Sequence, residues 1–253
     1  MKKILILFFL IVISSFAVNA EEKDPTNVKD CSEGFNRASF SFNQSLDKAI
    51  VKPISIGYRK LPVGIRTMTS NFLNNLSNLV TIPNNALQGD FAKAGTNFAR
   101  LGINSTAGIL GIFDVAKGLG FEKYEKEDYG QTFGKMGSGP GCYLVLPILG
   151  PSTARDAMGT VVGMLGGDPW YNITIKNDTQ YFRDADYYLT RGANGIDFRS
   201  KNFDSLNNLE ENSMDFYASV KSLYLQDRQL KILNTNKTTE IQDDNDWDEV
   251  GAE

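Results

Sequence analysis

The chain has 253 residues, a formal net charge of −4, two cysteines and no histidine. The absence of histidine excludes the Ser-His-Asp and Cys-His arrangements of nucleophilic enzymes and removes the commonest metal ligand. No basic patch alternates with aromatic residues, which argues against a nucleic-acid partner. The length suits one large domain or two small ones, with a sizeable buried core.

The first twenty residues have the pattern of a secretory signal peptide. Two lysines precede an apolar run from Ile4 to Val12, and small residues lead up to Ala20. A retained membrane helix, the alternative, needs about 18 continuous apolar residues. Two serines interrupt this run. We therefore expect cleavage after Ala20 and export, and no lipid anchor, because no cysteine stands at the cleavage point.

Apolar residues recur at spacings of three, four and seven, which predicts an all-α fold. Residues that favour helix starts and ends bound the predicted segments at Asp30 and Pro53, at Pro62 and Pro83, at Asp90, and at Ser213. No repeat or linker divides the chain. We expect a signal peptide (1–20), a short lead (21–29), one helical domain (30–233) and an acidic tail (234–253), which is either disordered or a docking segment.

The middle of the chain combines glycine with apolar residues. Glycines surround the sequence CYLVLPIL before Gly150, which indicates a flexible loop that carries an apolar strip. The following segment, 157–167, is apolar nearly all round and is predicted to be buried either in protein or in lipid. The acidic group Glu125, Glu127 and Asp128 lies in a lysine-rich stretch, which indicates a solvated turn.

Cys31 and Cys142 are the two cysteines, and an exported protein lies in an oxidising compartment. A bond between them would close a loop of roughly 110 residues, which is worth about 4–5 kcal/mol in the chain-entropy model. Sequence spacing alone leaves open whether the two residues meet.

Ordered motifs run along residues 30–230. They include DCSEGFNR at 30–37, FSFN at 40–43, LQGD at 87–90, DYGQTFG at 128–134 and GCYLVLP at 141–147. Together they resemble the MlaA/VacJ family of outer-membrane phospholipid-trafficking proteins, which maintain lipid asymmetry. The chain departs from the family by lacking its lipidated cysteine and by having Cys31 and Cys142 in place of proline. That both replacements are cysteines favours a disulfide between them.

The resemblance implies a ring of helices on the periplasmic face of the outer membrane, with a central amphipathic channel. A glycine-rich hairpin over residues 134–150 is expected to border this channel, with hinges at Gly137, Gly139 and Gly141 or, alternatively, as a rigid tight turn. It implies that the protein removes mislocalised phospholipid from the outer leaflet and passes it to a periplasmic lipid-binding shuttle. An inner-membrane ABC transporter would act downstream, and a trimeric outer-membrane porin would hold the ring. It implies no cofactor, no metal and no catalysis.

Two sets of site residues follow from the resemblance. The expected channel and hairpin residues are Gly134, Gly137, Gly139, Gly141, Tyr143, Leu144, Val145, Leu146 and Pro147. The expected signature of the first helix is Glu33, Phe35, Asn36, Arg37, Phe40, Phe42 and Asn43. The stretch 40–43 of this signature is expected to hold its helix against the channel wall or, alternatively, to pack a simple core.

A third set of residues is rich in asparagine. Its members are Asn71, Asn74, Asn75, Asn78, Asn84 and Asn85. They either hydrate the channel or serve as ordinary caps and turns.

Two other function classes are compatible with an exported helical protein. One is a surface or structural protein that promotes intercellular spreading. The other is a hydrolase of envelope lipids, against which the lack of histidine weighs.

Overall fold

The computed structural model describes residues 28–177 and 181–234. The predicted signal peptide, residues 21–27 of the lead and the tail after residue 234 lie outside this part of the chain. The helices are α1 (Glu33–Leu46), α2 (Lys52–Arg59), α3 (Val63–Leu87), α4 (Phe91–Thr106), α5 (Val115–Gly118), α6 (Tyr129–Lys135), α7 (Ala154–Val162), α8 (Pro169–Tyr171), α9 (Asp184–Lys201), α10 (Phe203–Asn212) and α11 (Phe216–Leu233). Three π turns, Asp47–Val51, Gly163–Gly167 and Asn172–Lys176, join α1 to α2, extend α7 and extend α8.

The predicted all-α class is confirmed, with one small addition. Strands β1 (Tyr143–Leu146) and β2 (Gly150–Thr153) form an antiparallel ribbon in which Tyr143 lies opposite Thr153. The Tyr143 amide also donates to the Lys29 carbonyl at 2.9 Å. The predicted glycine-rich hairpin is therefore a short β-hairpin, extended at its open edge by the segment that precedes α1.

Two prolines were expected to end helices, and both expectations are wrong. Pro53 lies in the first turn of α2, directly after the π turn Asp47–Val51. A proline is tolerated in a first turn, because its missing N–H has no helical partner there. Pro83 lies inside α3, which continues to Leu87. Tertiary packing of the last turns of α3 offsets the roughly 3 kcal/mol that an internal proline costs.

The predicted caps had mixed outcomes. The Asp90 carboxylate accepts from the Lys93 amide and caps α4, as expected, and Thr153 caps α7. The predicted box of Asp30 with Glu33 is wrong, since Ser32 is the N-cap and makes no side-chain bond. The last helix does not begin at Ser213, because Asp215 supplies its cap. Caps depend on side-chain direction, which spacing alone does not fix.

The helices pack in a closed circuit. α1 contacts β1, the hairpin contacts α11, and α11 contacts α6. α6 contacts α3, α3 contacts α9, and α9 contacts α2, which returns to α1 through the π turn. α4 lies against α3, and α7 lies against α6. Within the described part of the chain, no helix is long and apolar enough to cross a membrane.

The distribution of polar and apolar side chains is inverted relative to a typical soluble domain. Among the described residues, more polar or charged side chains than apolar ones are buried. Large apolar side chains are widely exposed, including Phe91 and Phe98, which are 73% and 68% accessible. Soluble monomers rarely expose large contiguous apolar patches. The segment 157–167 also exposes apolar side chains, among them Met158 and Leu165. Of its two predicted environments, burial within the protein is wrong.

Candidate functional site

The hairpin lies against α1 through two asparagines seven residues apart. The Asn36 amide donates to the Tyr143 carbonyl at 3.0 Å and accepts from the Val145 amide at 2.8 Å. Asn43 repeats this arrangement with the Leu146 carbonyl at 2.9 Å and the Ile148 amide at 2.6 Å. Each side chain thus bonds the strand as a neighbouring strand would, at an interval of two helical turns. The sequence shows the seven-residue spacing of the two asparagines, but it does not show that they bond the hairpin.

The rest of the first-helix signature divides between two faces. Phe40 packs edge-on against Phe216 and Tyr217, at centroid distances of 5.4 and 5.5 Å. Arg37 forms an exposed ion pair with Asp215 at 2.7 Å and another with Glu33 at 2.8 Å. Phe35 and Phe42 are exposed. The core-packing alternative, which concerned residues 40–43, therefore describes Phe40 and is wrong for Phe42.

The hairpin residues also have separate roles. Tyr143 and Val145 are fully buried, Leu144 and Leu146 are half-buried, and Pro147 is exposed. The tip beyond Pro147 is apolar and exposed, and its Ile148 has a φ of +69°. A β-branched residue rarely adopts this left-handed conformation.

The predicted hinge glycines are not equivalent. Gly137 and Gly141 have φ values of +93° and +69°, in the left-handed region that favours glycine. Gly139 has no positive φ, and an added Cβ there would meet nothing within 4 Å. Gly134 lies inside α6, where a Cβ would approach the Ile232 side chain to 2.7 Å. Gly139 is therefore the position where a methyl group changes backbone freedom with least strain.

A disulfide joins Cys31 to Cys142, as the resemblance implied. The bond links the segment before α1 to the residue before β1. Beside it, the Asp30 carboxylate accepts from the Asn36 amide at 2.7 Å and from the Tyr217 hydroxyl. Tyr143, which follows Cys142, belongs to a buried group of residues that we call the aromatic cluster. Its members are Val28, Tyr143, Val145, Tyr217 and Leu225, with Phe40 and Tyr224 packed on it.

An ion-pair network borders this aromatic cluster. Arg228 bonds Asp128 at 2.7 Å and Asp156 at 3.0 Å, and the Tyr224 hydroxyl donates to Asp156 at 2.6 Å. Burial opposes ionisation of Asp156, but the hydrogen bond and positive charge of Arg228 outweigh it and lower the pKa of this carboxyl. The same balance lowers the pKa of Asp128.

The expectation of a solvated acidic turn is wrong for two of its three members. Glu125 is exposed and pairs with Lys93. Asp128 belongs to the Arg228 network described above. Glu127 is buried and accepts from the Gln88 amide at 2.9 Å, and burial raises the pKa of its carboxyl. Tertiary contacts with α3 and α11, which the lysine-rich local sequence does not reveal, hold both groups.

Six asparagines on α3 and α4 form a second, polar core. We call this the amide core: Asn75, Asn78, Asn84, Asn85, Asn97 and Asn104, all buried. Asn97 donates to Asn85 at 2.9 Å, and Asn75 donates to Ser105 at 2.9 Å. Caps and turns are the wrong explanation for Asn75, Asn84 and Asn85, since these side chains form hydrogen bonds with separate elements. Asn74, by contrast, is exposed.

The amide core requires glycine in the loop after α4. Gly111 has a φ of +91°, and an added Cβ would lie 2.3 Å from the Asn75 Cβ. The two preceding residues, Ile109 and Leu110, also have left-handed φ values and point exposed apolar side chains away from the protein. The loop therefore keeps its backbone against the amides and its apolar groups outside.

A cavity of about 470 Å³ opens between α2, α3 and α9. Its lining is mostly apolar and includes Ile54, Leu61 and Ile196. The Tyr58 hydroxyl lies within 3.3 Å of both the Asp197 carboxylate and the Arg66 carbonyl. Burial raises the pKa of Tyr58, so the hydroxyl stays protonated at neutral pH. The sequence carries no local signal for these residues, because Tyr58 and Asp197 are 139 positions apart.

The described residues hold no group of three or more Cys, Asp or Glu side chains placed to bind a metal ion. The candidate site therefore consists of a polar interior, a hairpin that Asn36 and Asn43 bond to α1, and an apolar exterior.

Comparison with known proteins identifies the family. A family model described as "MlaA lipoprotein" matches residues 28–231. The chain belongs to the MlaA family.

Two curated MlaA relatives are named "Intermembrane phospholipid transport system lipoprotein MlaA". The Escherichia coli K12 protein is 32% identical over 208 residues, covering 80% of this chain and 78% of that protein. The Haemophilus influenzae protein is 28% identical over 239 residues, covering 92% and 91%. A solved structure described as the structural basis for maintenance of bacterial outer membrane lipid asymmetry matches with a TM-score of 0.67 and 30% identity, covering 81% of this chain and 99% of that one. The MlaA resemblance read from the motifs is confirmed.

Proposed function

We propose that this protein lies within one leaflet of the outer membrane, on its periplasmic side, and removes mislocalised phospholipid from the outer leaflet. The inverted distribution of side chains carries the proposal. Exposed apolar helix faces suit contact with acyl chains. Buried amides find polar partners inside the protein, as Asn97 does with Asn85 and Asn75 with Ser105. The relatives' names, which place them in intermembrane phospholipid transport, support the same substrate.

The path that we propose for the lipid runs through the closed circuit of helices. A diacyl lipid that crosses half a bilayer needs polar groups for its head and apolar surface for its chains. From the circuit the lipid would pass to a periplasmic lipid-binding shuttle and then to an inner-membrane ABC transporter. A porin trimer would hold the ring in the membrane.

Deletion of the gene tests the proposal in cells. Phosphatidylethanolamine at the cell surface is measured with a membrane-impermeant amine reagent, and deletion is expected to raise it. Wild-type protein supplied in trans should restore the original level. Unchanged surface lipid after deletion would contradict the proposal, and loss of intercellular spreading with normal asymmetry would favour the surface-protein alternative.

Partners are tested by extraction. Protein extracted in mild detergent should bring phospholipid and a porin trimer with it, as measured by native mass spectrometry. Recovery of the free chain alone would remove the porin from the proposal.

The hairpin is proposed as the mobile border of this path. Gly139→Ala should slow lipid removal, because alanine reduces the backbone freedom of a residue that has space for a methyl group. Gly102→Ala on α4, also open to a Cβ, is the matched control. Equal surface lipid in cells carrying either variant would rule out a role for hairpin flexibility.

A further inference from the structure

The cavity between α2, α3 and α9 has two chemically different ends. Ile54, Leu61 and Ile196 make its wall apolar. At the Leu61 end, the Arg66 Nε donates to the Leu61 carbonyl at 3.3 Å. The cavity volume of about 470 Å³ falls within the roughly 300–1,000 Å³ range of small-molecule sites.

In the part of the chain that the structure describes, Arg66 has no acidic partner, in contrast to Arg59 and Lys201 on the helices beside it. Arg59 pairs with Asp204 at 2.8 Å, and Lys201 pairs with Asp197 at 2.9 Å. Within residues 28–177 and 181–234, Arg66 forms no ion pair, and its two terminal nitrogens make no hydrogen bond. These nitrogens match the geometry of a phosphate, which arginine binds through two parallel hydrogen bonds.

We infer that this cavity holds one acyl chain of a phospholipid while Arg66 binds the phosphate at its mouth. The inference rests on the proposed function and names a holding site within it. An apolar wall alone would bind any apolar molecule. The unpaired Arg66 guanidinium favours an amphiphile that carries a negative group. The lipid is thus held by its phosphate and by one chain, and the second chain remains outside the cavity.

The central experiment measures lipid binding to the purified, delipidated full chain in mild detergent. Native mass spectrometry gives the affinity for dioleoylphosphatidylglycerol and for dioleoylglycerol, which has the same chains and no phosphate. Arg66→Gln should bind dioleoylphosphatidylglycerol about ten-fold more weakly, because charge-assisted bonds to phosphate are lost. Its affinity for dioleoylglycerol should not change. Lys123→Gln, which removes an exposed charge elsewhere, is the matched control and should bind both lipids as wild type does.

A second variant fills the cavity. Gly57 lines it, and an added Cβ there meets nothing within 4 Å, so the leucine of Gly57→Leu can enter the space from a Cβ that is free of contacts. This variant should bind both lipids about ten-fold more weakly, because the leucine takes the volume of the chain. Gly102→Leu, on an exposed helical glycine with equal space, should bind normally. If both test variants bind like their controls, the inference is wrong.

A measurement on the wild-type chain covers the case in which a variant fails to fold. Phosphatidylglycerol with a photoreactive group in one acyl chain should label Ile54, Leu61 or Ile196. Labelling confined to outer-facing residues such as Phe91 and Phe98 would overturn the inference. The proposed function would survive that result, because surface lipid in deleted and complemented cells tests it separately.

Discussion

The aromatic cluster and the amide core stabilise the same chain by opposite means. The aromatic cluster buries Tyr143, Val145 and Leu225 away from solvent, as the core of a soluble domain does. The amide core joins α3 to α4 through asparagine side chains, while Phe91 and Phe98 face outward. Burying apolar surface lowers the free energy only when water is outside. Between helices that contact lipid, packing and hydrogen bonds must supply the attraction. We therefore expect the aromatic cluster near the aqueous edge and the amide core at the depth of the acyl chains.

The largest expected effect comes from the disulfide beside the aromatic cluster. Replacing both cysteines by serine should lower the free energy of unfolding by about 4–5 kcal/mol, because the bond closes a loop across 111 positions. Denaturation in detergent measures the loss, and a reductant should reproduce it in wild type but not in the variant. Hydrogen exchange should rise first in β1 and the aromatic cluster. Equal acceleration in α3 and α4 would show that the two regions unfold together.

The next effect separates buried from exposed leucine on one helix. Leu225 is 4% exposed and Leu223 is 53% exposed, both on α11. Leu225→Ala should cost about 2–5 kcal/mol, because it removes buried methyl groups from the aromatic cluster. Leu223→Ala should stay within about 0.5 kcal/mol. Similar losses in the two variants would contradict an apolar core at this position.

The ion-pair network of Arg228 with Asp128 and Asp156 makes the stability of the aromatic cluster sensitive to acid. Asp156→Asn should cost about 1.5–3 kcal/mol at neutral pH, through weakened bonds to Arg228. Since the folded pKa of Asp156 is lowered, its contribution is fully present above the unfolded pKa of about 3.9 and is lost as pH falls. The difference in the free energy of unfolding between wild type and variant should therefore become smaller below about pH 4. A difference that is constant with pH would mean that charge has no part in the contact.

The smallest effect is expected in the amide core. Asn97→Ala should cost about 1–2 kcal/mol, because the Asn85 oxygen is left buried without its donor. Replacing both Asn85 and Asn97 by leucine should be close to neutral, since no polar atom is then stranded. Asn74→Ala, at an exposed position, is the control. A larger loss in the double variant than in Asn97→Ala would show that amide chemistry itself is required.

Local signals predicted some elements well. The Asp90 cap was predicted correctly, because a carboxylate three residues before a backbone amide needs no distant partner. The hairpin was predicted over residues 134–150 from the family resemblance together with the local density of glycine, and its strands are Tyr143–Leu146 and Gly150–Thr153. Helix continuation through Pro53 and Pro83 was not, because a π turn in one case and tertiary packing in the other overrode local preference.

The site was less accessible from sequence than the fold. Asn36 and Asn43 were identified as signature residues, but their role as bonds to β1 depends on contacts more than 100 positions away. Arg66 carried no recognisable pattern. Its significance comes from what it lacks, an acidic partner, and only the folded chain shows that.

By itself, the sequence determined the helical class, the family and the pair of cysteines, because periodicity and ordered motifs are written in residue order. Only the tertiary structure decided which faces of those helices point inward. A helix with asparagine on one side and phenylalanine on the other has the same sequence pattern in water and in lipid. The spacing of residues shows which of them share a face, but it does not show which face is buried. Packing of α3 against α4 turned the amides inside and left the apolar side chains out.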